Sequence, residues 1–104
     1  MVAYQVMDDV FKALADPRRR ALLDRLQAEP GQTLGELCQG VEMSRQAVSR
    51  HLAILEEAKL VATIRRRREK LHYLNPVPIH EIADRWICKY QRAARCVGRT
   101  AVAT

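Results

Sequence analysis

Apolar positions along this chain recur mostly at helical spacing. Val6, Val10, Phe11 and Leu14 form a stripe that predicts a first helix over residues 4–15. Asp16-Pro17 then restarts the chain, because Asp is a good N-cap and Pro suits the first helical position. The second helix runs to about residue 28 with Leu22, Leu23 and Leu26 inward, and Glu29-Pro30-Gly31 breaks it. Thr33 and Glu36 stand three apart, as in a capping box, and open a short third helix to about residue 39. Gly40-Val41-Glu42-Met43 has the length of the turn between the two helices of a helix-turn-helix, with Gly40 as a left-handed cap.

The next stretch has the clearest two-faced pattern. Ser44 is an N-cap, and Val48, Leu52 and Leu55 follow on one helical face to an end near residues 58–59. Arg45, Gln46, Ser49, Arg50 and Ala53 fall on the opposite face, which carries no acid before Glu56. Such a face suits a DNA major groove. Arg pairs bidentately with guanine, Gln with adenine, Ser bonds bases or phosphates, and a small Ala permits close approach. The plainer alternative is an amphipathic surface helix whose polar side is merely solvated.

Beyond this helix the chemistry becomes β-like. Leu60-Val61-Ala62-Thr63-Ile64 can pair with Leu71-His72-Tyr73-Leu74, leaving Arg65, Arg66, Arg67, Arg68, Glu69 and Lys70 at the tip. Four arginines on a hairpin beside a helix-turn-helix predict contacts to phosphates or entry into a minor groove. Asn75-Pro76-Val77-Pro78 ends the pairing and introduces a last helix over about 79–97. Along it Ile79, Ile82, Trp86, Tyr90, Ala93 and Val97 repeat at spacings of three and four. That stripe is longer than a small core needs. It predicts a homodimer seam, helped by Val6 and Val10 of the first helix. The whole chain, 1–104, reads as one domain with its core over about 6–97 and a frayed end over 98–104. The fold class is mainly α with a β-hairpin wing: four helices, two strands and a last helix, α1-α2-α3-α4-β-β-α5.

Composition sharpens this picture in two respects. Lys and Arg number 18 against 12 Asp and Glu, a formal charge of +6, which suits a polyanionic partner. The charge is clustered in Arg18-Arg19-Arg20 and in the hairpin arginines. The first cluster sits near a helix N-terminus, where the dipole disfavours cations. Arg18 and Arg19 are therefore either phosphate contacts or part of a solvated turn. No apolar run is long enough to span a membrane, and no basic-then-apolar signal pattern opens the chain, which predicts a cytoplasmic protein. Three cysteines, Cys38, Cys88 and Cys96, are an odd number and argue against a disulfide framework.

The order of elements resembles the ArsR/SmtB family of winged helix-turn-helix repressors. The resemblance is carried by Phe11-Lys12-Ala13-Leu14-Ala15-Asp16-Pro17-Arg18-Arg19-Arg20, Leu34-Gly35-Glu36-Leu37, Ser44-Arg45-Gln46-Ala47-Val48-Ser49-Arg50-His51-Leu52 and Leu55-Glu56-Glu57-Ala58-Lys59-Leu60-Val61. It implies a homodimer with one recognition helix per subunit in successive major grooves of an imperfect palindrome. It also implies repression, typically at the protein's own operon. The wing tip is Arg-rich where relatives often have a glycine turn, so the hairpin register is open.

The same resemblance raises metal sensing. Relatives that sense thiophilic metals carry two cysteines one residue apart in the third helix; here Leu37-Cys38-Gln39-Gly40 keeps only the first. One thiolate is too few for a tight soft-metal site. Another class uses paired ligands on the last helix, where this chain offers His80 and Asp84 without a second downstream histidine. Cys88 and Cys96 lie roughly 12 Å apart on one helix and cannot share an ion within a subunit. No cofactor is expected, and a metal-responsive derepressor is the alternative within this fold. His51 and His72 read as packing or phosphate-contact residues. An enzyme would need a convergent constellation in a pocket, and none is visible among four glycines and dispersed histidines. A winged helix serving protein contact is the rival from another class.

Overall fold

The computed structural model describes residues 2–91, with side chains from Met7 onward. Its elements are α1 (Val2–Leu14), α2 (Pro17–Ala28), α3 (Leu34–Gln39), α4 (Arg45–Glu57), β1 (Val61–Arg66), β2 (Glu69–Leu74) and α5 (Val77–Ile82), which continues through a π turn at Ala83–Ile87. Three predicted caps hold the helix starts. Asp16 accepts from the Arg18 N–H, Ser44 from the Ala47 N–H, and Thr33 with Glu36 forms the reciprocal capping box.

Around one core pack Val10 and Ala13 of α1, Leu22, Leu23 and Leu26 of α2, Leu37 of α3, and Val48, Leu52 and Leu55 of α4. Ala58, Leu60, Val61 and Ile82 close it. Val10 and Ile82 are therefore core residues, 1% and 3% exposed, and not part of a dimer seam. Ile79 is half-buried against the same core. The reason lies in α5. Spacing of four would carry the inward line from Ile82 to Trp86, but a π turn adds a residue and advances that line to the fifth position. Ile87 accordingly packs on the core, while Trp86 faces out. The side chain of Val6, with Ala93, Cys96 and Val97, lies outside the described residues.

β1 and β2 pair antiparallel from Val61 with Leu74 to Arg66 with Glu69, so the register is set and the turn is only Arg67-Arg68. Arg65 and Arg66 belong to the strand, not to the tip. Arg67 takes φ 60°, the left-handed conformation that a glycine would adopt without strain. A third extended piece joins the hairpin where Gln32 bridges His72. The Gly31 N–H donates to the His72 carbonyl and the His72 N–H to the Gln32 carbonyl, each at 2.9 Å. Gly31 has φ +81°, and a Cβ there would press on the Tyr73 hydroxyl at 3.0 Å, so both conformation and space require glycine. Gly40 is different: its φ of −100° is not left-handed, contrary to the cap expected of it.

Candidate nucleic-acid interface

The recognition helix is held from one side only. Val48, His51, Leu52 and Leu55 of α4 are buried, whereas Ser44, Arg45, Gln46, Ser49, Arg50 and Ala53 are all exposed. The helical spacing thus brings the candidate base-reading residues together on one free face. His51 was not part of the apolar stripe, yet it is buried there. Its Nδ1 lies 3.3 Å from Nη1 of Arg19. Arginine can only donate, so Nδ1 carries a lone pair and the ring is neutral with its proton on Nε2. Burial pushes the His51 pKa below its ordinary 6.5, and the Arg18, Arg19 and Arg50 charges push the same way against an opposing pull from Asp16.

The arginines at the start of α2 have a different role from the one their charge suggests. Arg19 Nε donates to the Ala13 carbonyl at 2.7 Å and Nη2 to the Lys12 carbonyl at 3.0 Å. Arg20 Nη1 donates to the Leu14 carbonyl. These are end carbonyls of α1, which lack the i+4 partner of the helix interior and attract cations; that of Lys12 also accepts from the Ala15 N–H at 3.3 Å. The cluster that opposes the dipole of α2 thus serves the C-terminus of α1. The Arg19 side chain is 14% exposed, which removes it from the phosphate contacts. Arg18 stays 60% exposed, but its Nη2 lies 3.1 Å from Asp16 Oδ2. That side-chain bond, with the Arg18 N–H, lowers the Asp16 pKa to about 2 and offsets much of the Arg18 charge.

All four wing arginines, Arg65, Arg66, Arg67 and Arg68, are exposed. Pairing puts Arg65 and Lys70 on the hairpin face of Val61, Thr63 and His72, and Arg66 with Glu69 on the other. Lys70 Nζ reaches Glu56 Oε1 on α4 at 3.3 Å and ties the wing to the recognition helix. Between them runs a cleft of about 390 Å³ lined by Thr33, Leu34, Gly35, Arg45, Arg68, Glu69 and Lys70. Arg45 at the head of α4 and Arg68 at the wing tip therefore face the same space.

Among the described residues the thiols and candidate metal ligands do not converge. Cys38 is half-buried against the core, and Cys88 Sγ donates to the Asp84 carbonyl at 2.9 Å. Among the described residues no group of three or more His, Cys, Asp or Glu side chains, His80 and Asp84 included, could hold a metal ion. His72 is buried, with Nδ1 2.9 Å from the Gln32 carbonyl, and serves packing.

A helix presented by its apolar side, a free polar face and a basic hairpin define a winged helix-turn-helix DNA-binding module. Residues 14–64 match the helix-turn-helix domain family. The chain is 35% identical over 86 residues to the uncharacterized HTH-type transcriptional regulator YuzN of Bacillus subtilis, covering 77% of this chain and 94% of that one. It is 32% identical over 84 residues to the transcriptional repressor SdpR of the same organism, covering 81% and 91%. An ArsR family transcriptional regulator of solved structure superposes with a TM-score of 0.73 at 28% identity, over 86% of this chain and 90% of that one. The chain belongs to the ArsR family and is a DNA-binding transcriptional regulator. Its relatives are regulators, not enzymes, and no helix among the described residues is long and apolar enough to cross a membrane.

Proposed function

We propose that the protein is a homodimeric repressor that binds an imperfect palindrome in or near its own promoter. The whole chain acts as one DNA-binding domain in the cytoplasm, where bacterial DNA lies. The observation that carries this reading is the exposed row Arg45, Gln46, Ser49 and Arg50 on a helix buried along its other side. Gln46, Ser49 and Arg50 read bases, and Arg45, near the wing, reads a base or a flanking phosphate. Ser44 and the wing arginines Arg65, Arg66, Arg67 and Arg68 contact phosphates, with Arg18 a weaker contact because Asp16 shares its charge. Repression is inferred from likeness to SdpR.

Dimerisation is inferred from an aromatic face. Phe11, Trp86 and Tyr90 are 36%, 41% and 53% exposed. Their rings meet edge to face, Phe11 with Trp86 at 5.4 Å and Trp86 with Tyr90 at 5.2 Å. A second copy presenting the same face would cover them, as a two-fold interface requires.

The test is a titration of the protein against its own upstream DNA and a random duplex of equal length, at two salt concentrations. Affinity for both should fall steeply with salt, with a preference for the upstream DNA. Arg50→Ala should lower that preference by about tenfold or more while binding to the random duplex changes little. An unchanged ratio in Arg50→Ala would remove α4 as the reading element.

A further inference from the structure

Gly40 has no left-handed backbone, so its lack of a side chain needs another cause. A Cβ at Gly40 would fall on the guanidinium of Arg25. Arg25 reaches from α2 across the turn between α3 and α4, where Nη2 donates to Gln32 Oε1 at 3.1 Å and to the Glu36 carbonyl of α3 at 3.0 Å. Gln32 returns the bond, its Nε2 donating to the Arg25 and Glu29 carbonyls at 3.0 and 2.8 Å. The Gln32 backbone in turn bridges His72 of β2. One side chain thus touches α2, α3 and the turn before the recognition helix, and through Gln32 it is connected to the root of the wing.

This arrangement is a poor stabiliser. The bonds named for the guanidinium go to neutral oxygens, and its Nε is buried without a partner among the described residues. A half-buried cation whose buried Nε is orphaned contributes little to folding. What a planar fork with fixed bond directions supplies is geometry. We propose that Arg25 is a positioning residue for operator recognition: seated in the notch of Gly40, it sets the recognition helix against the wing. It touches no base and no phosphate. The proposal rests on the reading that α4 and the wing engage DNA together. Gly40 is part of the device, because a side chain there displaces the guanidinium from Gln32 and Glu36.

The experiment uses the full-length protein and the duplex that wild type enriches from a random-sequence pool, with a scrambled duplex as reference. A wild type that enriches nothing would overturn the DNA-reading assignment itself, independently of any variant. Given an enriched duplex, Arg25→Ala should lose about tenfold in the ratio of selected to scrambled affinity while scrambled binding and its salt slope stay unchanged. Gly40→Ala should lose the same amount, and the double variant should be no worse than either single, because both changes remove one brace. Arg25→Lys keeps charge and alkyl stem and guards against a folding failure; it should retain a cooperative melt and still lose most of the ratio. Multiplying losses in the double variant would overturn the shared brace. An unchanged ratio in folded variants would overturn the positioning role, and so would a salt slope reduced by about one, the mark of a phosphate contact.

Discussion

Individual residues show where local chemistry is satisfied and where it is strained. The neutral His51 accepts from Arg19, so protonation at Nδ1 breaks that bond and sets two cations 3.3 Å apart. The folded-state pKa lies below the ordinary 6.5, so the unfolded chain takes up the proton first. Stability is therefore full above pH 6.5 and declines as pH falls below it. Melting temperatures of wild type should drop through this range, whereas His51→Gln should show a flatter profile; parallel profiles would disprove the coupling. Backbone strain gives an opposed pair. Lys59 holds φ 65° just past the end of α4, so Lys59→Gly should gain about 1 kcal/mol by relieving a left-handed β-carbon. Gly31→Ala should lose at least about 1 kcal/mol, for it adds a Cβ where φ is +81° and Tyr73 leaves little room. Urea denaturation measures both, and the two changes must differ in sign.

The elements legible in the sequence were those specified by neighbouring residues. Asp16, Thr33 with Glu36, and Ser44 announce three helix starts within a few positions, and all three caps form. Contacts across distance were not legible. Nothing local says that Arg19 and Arg20 turn back to the carbonyls of α1, or that Gly40 makes room for Arg25. Helical arithmetic put Ile82 and Trp86 on one face because it assumes 3.6 residues per turn; the π turn at Ala83–Ile87 separates them, leaving Ile82 in the core and Trp86 outside. The wing was recognisable, but its strands extend into the arginine run, since pairing with Glu69 and Lys70 and not the residue type ends the ladder. This tip separates strain from charge. Arg67→Gly should raise stability by about 1 kcal/mol through its φ of 60°, yet reduce the salt slope of duplex binding by about one per subunit. A variant with unchanged slope would place the tip away from the phosphates.

At the scale of the whole molecule, one recognition helix can cover only half of a palindrome. Two-fold operators are read by paired helices about 34 Å apart, so under the proposed dimeric reading specificity depends on what holds two subunits together. Within a subunit Val10 and Ile82 are taken up by the core, and among the described residues Phe11, Trp86 and Tyr90 form an exposed aromatic cluster beside it. Large aromatic rings at the centre of an interface commonly carry most of its binding energy. Trp86 is also far enough from the core to be replaced without opening a cavity, being 41% exposed. Trp86→Asp should therefore keep a cooperative melt but place a carboxylate and its two-fold mate where the interface closes. Light scattering should report a monomer. Binding to the full palindrome should fall by at least about a hundredfold, toward that of a single half-site, while each subunit keeps the salt response of its own wing. A Trp86→Asp protein that stays dimeric would exclude the aromatic face from the seam. Dimer loss with undiminished palindrome binding would show instead that the subunits read DNA independently.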